Sequence, residues 1–175
     1  LGAALGAMVA NLSAHKRGWD ERWEEFSNWA EKGKAIHDKL LKLVDDDTAA
    51  FNAIMDAFGL QKNNDQEKKL RSAAIQAATK HAIEVPFEVM KTAYQAMEVI
   101  QAMASIGNPN SLSDAGVGAL CVRTAVYGAY LNVRINAGGL SDKEFSGKIL
   151  AEAAEILEKA KAKETEILSM VESRI

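Results

Sequence analysis

Three aspartates in a row, Asp45-Asp46-Asp47, stand where the surrounding pattern asks for apolar side chains. Reading outward, Ile36, Leu40, Val44, Asp47, Phe51, Ile54 and Phe58 follow one another in steps of three and four. That spacing keeps residues on one face of an α-helix, so it predicts that Asp47 points inward. Asp46 falls about 100° around the helix from it and Asp45 about 200°. Those two read as a solvated charged face. A carboxylate among core residues must be paired, hydrogen-bonded, protonated or used. Two readings follow for Asp47: an acid satisfied by a polar group on a neighbouring helix, or an acid poised for proton transfer.

A second set of polar groups lies in the apolar stretch from Ser113 to Asn136. Asn132 and Asn136 are four residues apart and share a helix face. Their amides either bond to neighbouring backbone or bind a heterocycle with amide-like donors and acceptors. Asp114 falls in the first turn of the same helix, where a carboxylate suits the helix dipole. The basic turn His15-Lys16-Arg17-Gly18 is either solvated or receives an anionic tail. His37 and His81 are isolated from each other and from His15, and Cys121 reads as an inert buried thiol. No phosphate loop, dinucleotide fingerprint or zinc-type spacing occurs. The residues therefore suggest neither a bound metal nor a resident cofactor.

These groups must be positioned by helices. The pattern predicts an all-α bundle of about five mostly long helices. The first, from Leu1 to Ser13, is built of small and apolar residues that permit close backbone approach. The second runs from Trp19 to Phe58, with Gly33 inside it and Gly59 as its stop. The third starts after an Asn64/Glu67 capping box and runs towards Ser105, kinked or divided at Pro86. Gly107-Asn108-Pro109-Asn110 ends it. The fourth, capped by Ser111 or Ser113, is apolar nearly all round and is expected to be the central buried helix. Gly138-Gly139 closes it. Ser141 to Glu144 form a capping box for the fifth, which carries Phe145, Ile149, Ala153, Ile156, Ala160, Ile167 and Val171 inward.

The 175 residues suit one domain over 1–175, large enough to bury a substantial core. With 21 basic and 24 acidic residues the formal net charge is −3, which gives no basic face for nucleic acid. One cysteine excludes an internal disulfide. No stretch is apolar for long enough to span a bilayer.

Several local motifs, taken in order, carry a family resemblance. They are Gly2-Ala3-Ala4-Leu5-Gly6-Ala7-Met8-Val9-Ala10-Asn11-Leu12 and Leu43-Val44-Asp45-Asp46-Asp47 with Ala50-Phe51. Lys62 with Glu67-Lys68, Val85-Pro86, Gly107-Asn108 and Ser113-Asp114 follow. The run Gly128-Ala129-Tyr130-Leu131-Asn132-Val133-Arg134-Ile135-Asn136 completes the set. No piece is specific alone, but in this order the chain resembles the cyclodeaminase/cyclohydrolase family of folate enzymes along nearly its whole length. In two places it departs. The family's Gly-Gly-Ser segment before the opening helix is not in the sequence, so a segment is expected upstream of Leu1. Gln61 also stands where the family often has Pro.

The resemblance implies a cytoplasmic homodimer acting in one-carbon metabolism and histidine degradation, with a formimidoyltransferase as a possible partner. It places the catalytic aspartate on Asp47. The implied reaction is that of a lyase: ring closure of 5-formimidoyltetrahydrofolate to 5,10-methenyltetrahydrofolate with loss of ammonia. The folate is substrate, so no further cofactor is implied. The alternative is methenyltetrahydrofolate cyclohydrolase in the same pocket, and a second alternative is a non-catalytic helical interaction protein. Asn132 and Asn136 are implied to bind the pterin or orient Asp47, and Asp114 to accept hydrogen bonds from the pterin. Lys16, Arg17 and Lys62 are implied to draw the glutamate tail, often several carboxylates long. The opening and final helices are the expected dimer interfaces.

Overall fold

A computed structural model describes all 175 residues. Five α-helices follow one another: α1 (Gly2–Ala14), α2 (Trp23–Gly59), α3 (Asp65–Ile106), α4 (Leu112–Gly138) and α5 (Lys143–Glu172). The expected all-α bundle is therefore observed. Short 3-10 turns, Asp20–Arg22 and Pro109–Ser111, lead into α2 and α4. α2 thus starts its α-helical turns at Trp23 rather than Trp19.

The starts and stops follow local chemistry. The Asn64 side chain accepts from the Glu67 amide (2.9 Å), and Glu67 reaches back to the Asn63 amide (2.7 Å). Asp142 caps α5 by accepting from the Phe145 amide (3.0 Å). α3 is not divided at Pro86, which lies inside one continuous helix.

α3 forms the floor of the bundle, with α2, α4, α5 and α1 all packed on it. α1 lies in the groove between α2 and α4, and its small residues are spent there. A side chain at Gly33 of α2 would meet Ala7 atoms at 3.0–3.2 Å, and one at Gly2 would strike Val122 and the Gly118 carbonyl of α4. Gly33 thus permits close approach rather than a break in α2. The core holds Val9 and Ala10 of α1, Phe26 and Ile36 of α2, Met90 to Met103 of α3, Val126 and Val133 of α4, and Ile167 of α5.

Polar ties fix the connections. The buried Ser13 hydroxyl donates to the Val9 carbonyl (2.7 Å) and accepts from the Asn108 amide (2.8 Å), joining the end of α1 to the α3–α4 turn. Gln76 grips the α4–α5 turn from both sides, at the Gly139 carbonyl (3.3 Å) and the Ser141 amide (2.6 Å).

One packing expectation needs correction. α4 is not buried all round: Val117, Leu120, Tyr127, Leu131 and Ile135 are exposed along one face. Its overall apolarity hid that asymmetry, because only Ser113 and Thr124 interrupt the apolar side chains of the uncovered side. α5 turns its apolar residues onto α3 and α4, whereas exposed apolar side chains run along α2 and α4, with Met8 and Leu12 exposed on α1.

Candidate active site

The inward face of α2 is not the one its bulky residues suggested. Ile36, Leu43, Ala50 and Ala57 are buried, at heptad spacing. Val44, Phe51 and Phe58 are 63%, 61% and 51% exposed. Asp47 is exposed as well, which overturns the expectation that it is an interior acid. The physical reason is that α2 meets α3 through alanines, which allow close approach, while the larger side chains turn outward.

Asp47 nevertheless faces a cleft. Leu40 and Ile54, seven residues to either side of it, are half-buried, so Asp47 sits on the rim of the packed seam. The cleft is a concavity of about 370 Å³ between α2 and α4. Leu43, Val44, Asp47 and Thr48 line one wall, Pro86 and Val89 the floor, and Ala125, Ala129 and Asn132 the opposite wall. Asn132 and Asp47 are therefore brought to one cavity. The Thr48 hydroxyl bonds to the Val44 carbonyl (3.1 Å), and no ion pair or side-chain hydrogen bond within the chain engages the Asp47 carboxylate.

The cleft continues past Leu40 and Ala125 into a second concavity of about 440 Å³. This extension is apolar, lined by Leu1, Leu120, Cys121 and Val122 among others, with Thr124 beside them. Cys121 is half-buried and borders this groove rather than lying deep in the core. The groove is the continuation of the channel that α1 fills lower down. Together the two spaces have the size and apolar character of a small-molecule site with few polar groups.

Next to the floor, Glu88 bridges α2 and α3. The Lys39 ammonium (2.5 Å), together with that of Lys91 (2.5 Å), holds its carboxyl below the ordinary glutamate range.

The other expected site residues do not converge within one chain. Asp114 lies at the opposite end of α4, about 27 Å along the helix from Asn132 at 1.5 Å per residue. Lys16 and Arg17 follow the far end of α1, where Lys16 stacks on Trp19 (4.0 Å). Lys62 lies in the α2–α3 turn, beyond the other end of α2, so the length of that helix separates it from Lys16 and Arg17. The Asn136 amide nitrogen is occupied: it donates to the Ala82 carbonyl (2.8 Å). Sequence reasoning passed over Thr48, Pro86 and Ala125 as site residues. Pro86 stood out as a helix breaker and, with Val85, as part of the family resemblance, and no chemical signal marked Ala125.

An all-α bundle with a carboxylate at the edge of an open interhelical cleft defines the class. Residues 1–155 match the family model described as formiminotransferase-cyclodeaminase. The chain is 37% identical, over its whole length and 84% of the relative's, to a methenyltetrahydrofolate cyclohydrolase of Methylorubrum extorquens. It is 33% identical to the mouse formimidoyltransferase-cyclodeaminase, aligning over 99% of this chain but only 32% of that longer protein. Its fold matches the crystal structure of a formiminotetrahydrofolate cyclodeaminase from Thermotoga maritima. The TM-score is 0.77 at 27% identity, over 99% of this chain and 80% of the other. The chain belongs to the formiminotransferase-cyclodeaminase family, as its ordered motifs indicated.

Proposed function

We propose that the cleft takes a tetrahydrofolate carrying a one-carbon group and that Asp47 moves the proton in its conversion. The observation that carries this reading is the placement of Asp47 and Asn132 in one apolar cleft that α1 leaves open. The pterin lies between these two residues, with the amide of Asn132 matching its donors and acceptors, and the aminobenzoyl ring extends into the apolar groove.

The reaction is the cyclodeaminase reaction. N10 attacks the carbon of the protonated formimidoyl group (–CH=NH2+), forming the new N10–C bond. Asp47 takes the proton from N10 and returns it to the departing nitrogen, the C–N bond breaks, and ammonia leaves with 5,10-methenyltetrahydrofolate as product. One carboxylate serves first as base and then as acid. A transferase that loads the formimidoyl group onto folate is the expected partner.

A second reading is favoured by the full-length likeness to the Methylorubrum cyclohydrolase. In it, water attacks the methenyl carbon and Asp47 takes one of its protons; the C–N5 bond then breaks as the remaining hydroxyl proton passes to N5, and the carbon stays as a formyl group on N10.

The protein works as a homodimer in this proposal. Support comes from the free apolar faces of α2 and α4, which flank the cleft on both sides.

The test supplies 5-formimidoyltetrahydrofolate and records methenyl absorbance and ammonia together. Asp47→Asn should keep its melting temperature and lose turnover by about a hundredfold or more. A folded Asp47→Asn protein with most of its turnover would remove Asp47 from the chemistry. Hydrolysis of added methenyltetrahydrofolate without ammonia release would select the second reading.

A further inference from the structure

Pro86 lies inside α3 and has no amide hydrogen to give. In an unbroken helix that hydrogen would go to the carbonyl four residues earlier, which is Ala82. Ala82 is only 6% exposed, so solvent does not readily replace the missing donor. A buried carbonyl left bare is costly. The Asn136 side chain, arriving from α4, donates to this oxygen at 2.8 Å.

The position of this bond matters as much as its existence. Pro86 stands one turn above Ala82 on α3, and Asn132 stands one turn before Asn136 on α4. Pro86 and Asn132 line the cleft together. The bond therefore lies one turn beneath the cavity and pins its floor to one of its walls. Asp47 faces the cavity from α2, a helix that packs on α3.

We propose that Asn136 is a positioning residue: it replaces the donor that Pro86 removes, and by tying α3 to α4 it fixes where Asn132 stands relative to Asp47. This assigns Asn136 a task different from contact with the pterin. The kinetic consequence rests on the folate reading above; the bond itself does not.

The experiment is a double-mutant cycle on the full chain with Asn136→Ala, Pro86→Ala and both together. Pro86→Ala returns an amide hydrogen to position 86, so Ala82 regains its own partner. Asn136→Ala alone should lower the melting temperature by about 5 °C. In the Pro86→Ala background the same change should lower it by about 2 °C or less. Equal losses in both backgrounds overturn the proposal. If Asn136→Ala does not fold alone, folding of the double variant carries the same support, and an unfolded double variant overturns it.

Kinetics separate positioning from contact. Below all melting temperatures, Asn136→Ala should lower kcat about tenfold, with KM for the folate substrate within about twofold. The double variant should match Pro86→Ala alone. A change confined to KM would make Asn136 a substrate contact and overturn the positioning role. A melting cycle that shows the coupling, in a wild type that turns over neither folate, would sink the folate reading and leave the bond standing. A flat cycle with normal wild-type turnover would do the reverse.

Discussion

The two halves of α2 are built to different standards. From Phe26 to Ile36 the helix is covered by α1 and α3 and joins a core cluster of 32 buried residues. From Leu43 onward only Leu43, Ala50 and Ala57 are buried, and the local cluster has four members: Leu43, Ala50, Ala82 and Val85. The start of α3 is similarly open, with Leu70 63% exposed. The α2–α3 hairpin thus projects beyond the body of the bundle as a thinly packed arm. Asp47 stands just past the boundary. The comparison teaches that the site lies where close packing ends: the body holds the cleft walls, and the uncovered stretch leaves room for a ligand.

Mutation can sharpen that contrast, beginning with the largest effect. Phe26→Ala removes a fully buried ring that stacks on Trp19 at 5.4 Å, and should cost about 3–5 kcal/mol. Leu43→Ala, in the small cluster, should cost about 2 kcal/mol, at the low end for such truncations, because half-covered surroundings relax into the space. Chemical denaturation of both variants gives the comparison directly; equal losses would erase the distinction between the halves.

The next effect concerns the exposed apolar face. Phe51→Ala combined with Leu131→Ala should change the stability of the isolated chain by no more than about 1 kcal/mol, since Phe51 is 61% and Leu131 47% exposed. In the proposed dimer the same pair should weaken self-association by about tenfold or more. Sedimentation over a concentration series reads this, and an unchanged profile would place the contact elsewhere.

The smallest effect lies at Glu88, which ties the two helices beside the cleft floor. Its carboxyl is held below the ordinary value of 4.5, chiefly by Lys39 and then by Lys91. A depressed carboxylate contributes stability that is present above its unfolded value and is lost as pH falls through the folded one. Wild type should therefore lose melting temperature more steeply than Glu88→Gln as pH drops below about 4.5, and the two should run parallel above it. Parallel curves throughout would mean the ion pairs add nothing to folding.

Much of this fold was legible in the sequence. Gly59, Asn64 with Glu67, the Gly107–Asn110 turn and Gly138-Gly139 mark real helix ends, because caps and breakers act locally. Asp47 and Asn132, both singled out in the sequence, line one cleft in the structure. The orientation of α2 was not legible. Counting bulky residues placed the seam on Val44, Phe51 and Phe58, whereas the packed positions are Leu43, Ala50 and Ala57. Alanine carries little hydrophobic signal, yet it is what lets α2 lie close against α3. The same ambiguity hid the open face of α4, where apolar residues point both ways. Spacing along the chain did place Asp114, Lys16, Arg17 and Lys62 at helix ends and turns; what it did not show is where those ends stand relative to the cleft.

The hydrogen bond from Asn136 to Ala82 also imposes an order on how this sequence can drift. While Pro86 remains, loss of Asn136 strips a buried carbonyl of its donor and is penalised at once. If Pro86 is exchanged first, the helix supplies its own donor and Asn136 is released from that duty. Two descendants ending at the same pair of residues would thus have travelled unequal roads, one through a weakened ancestor and one along nearly level ground.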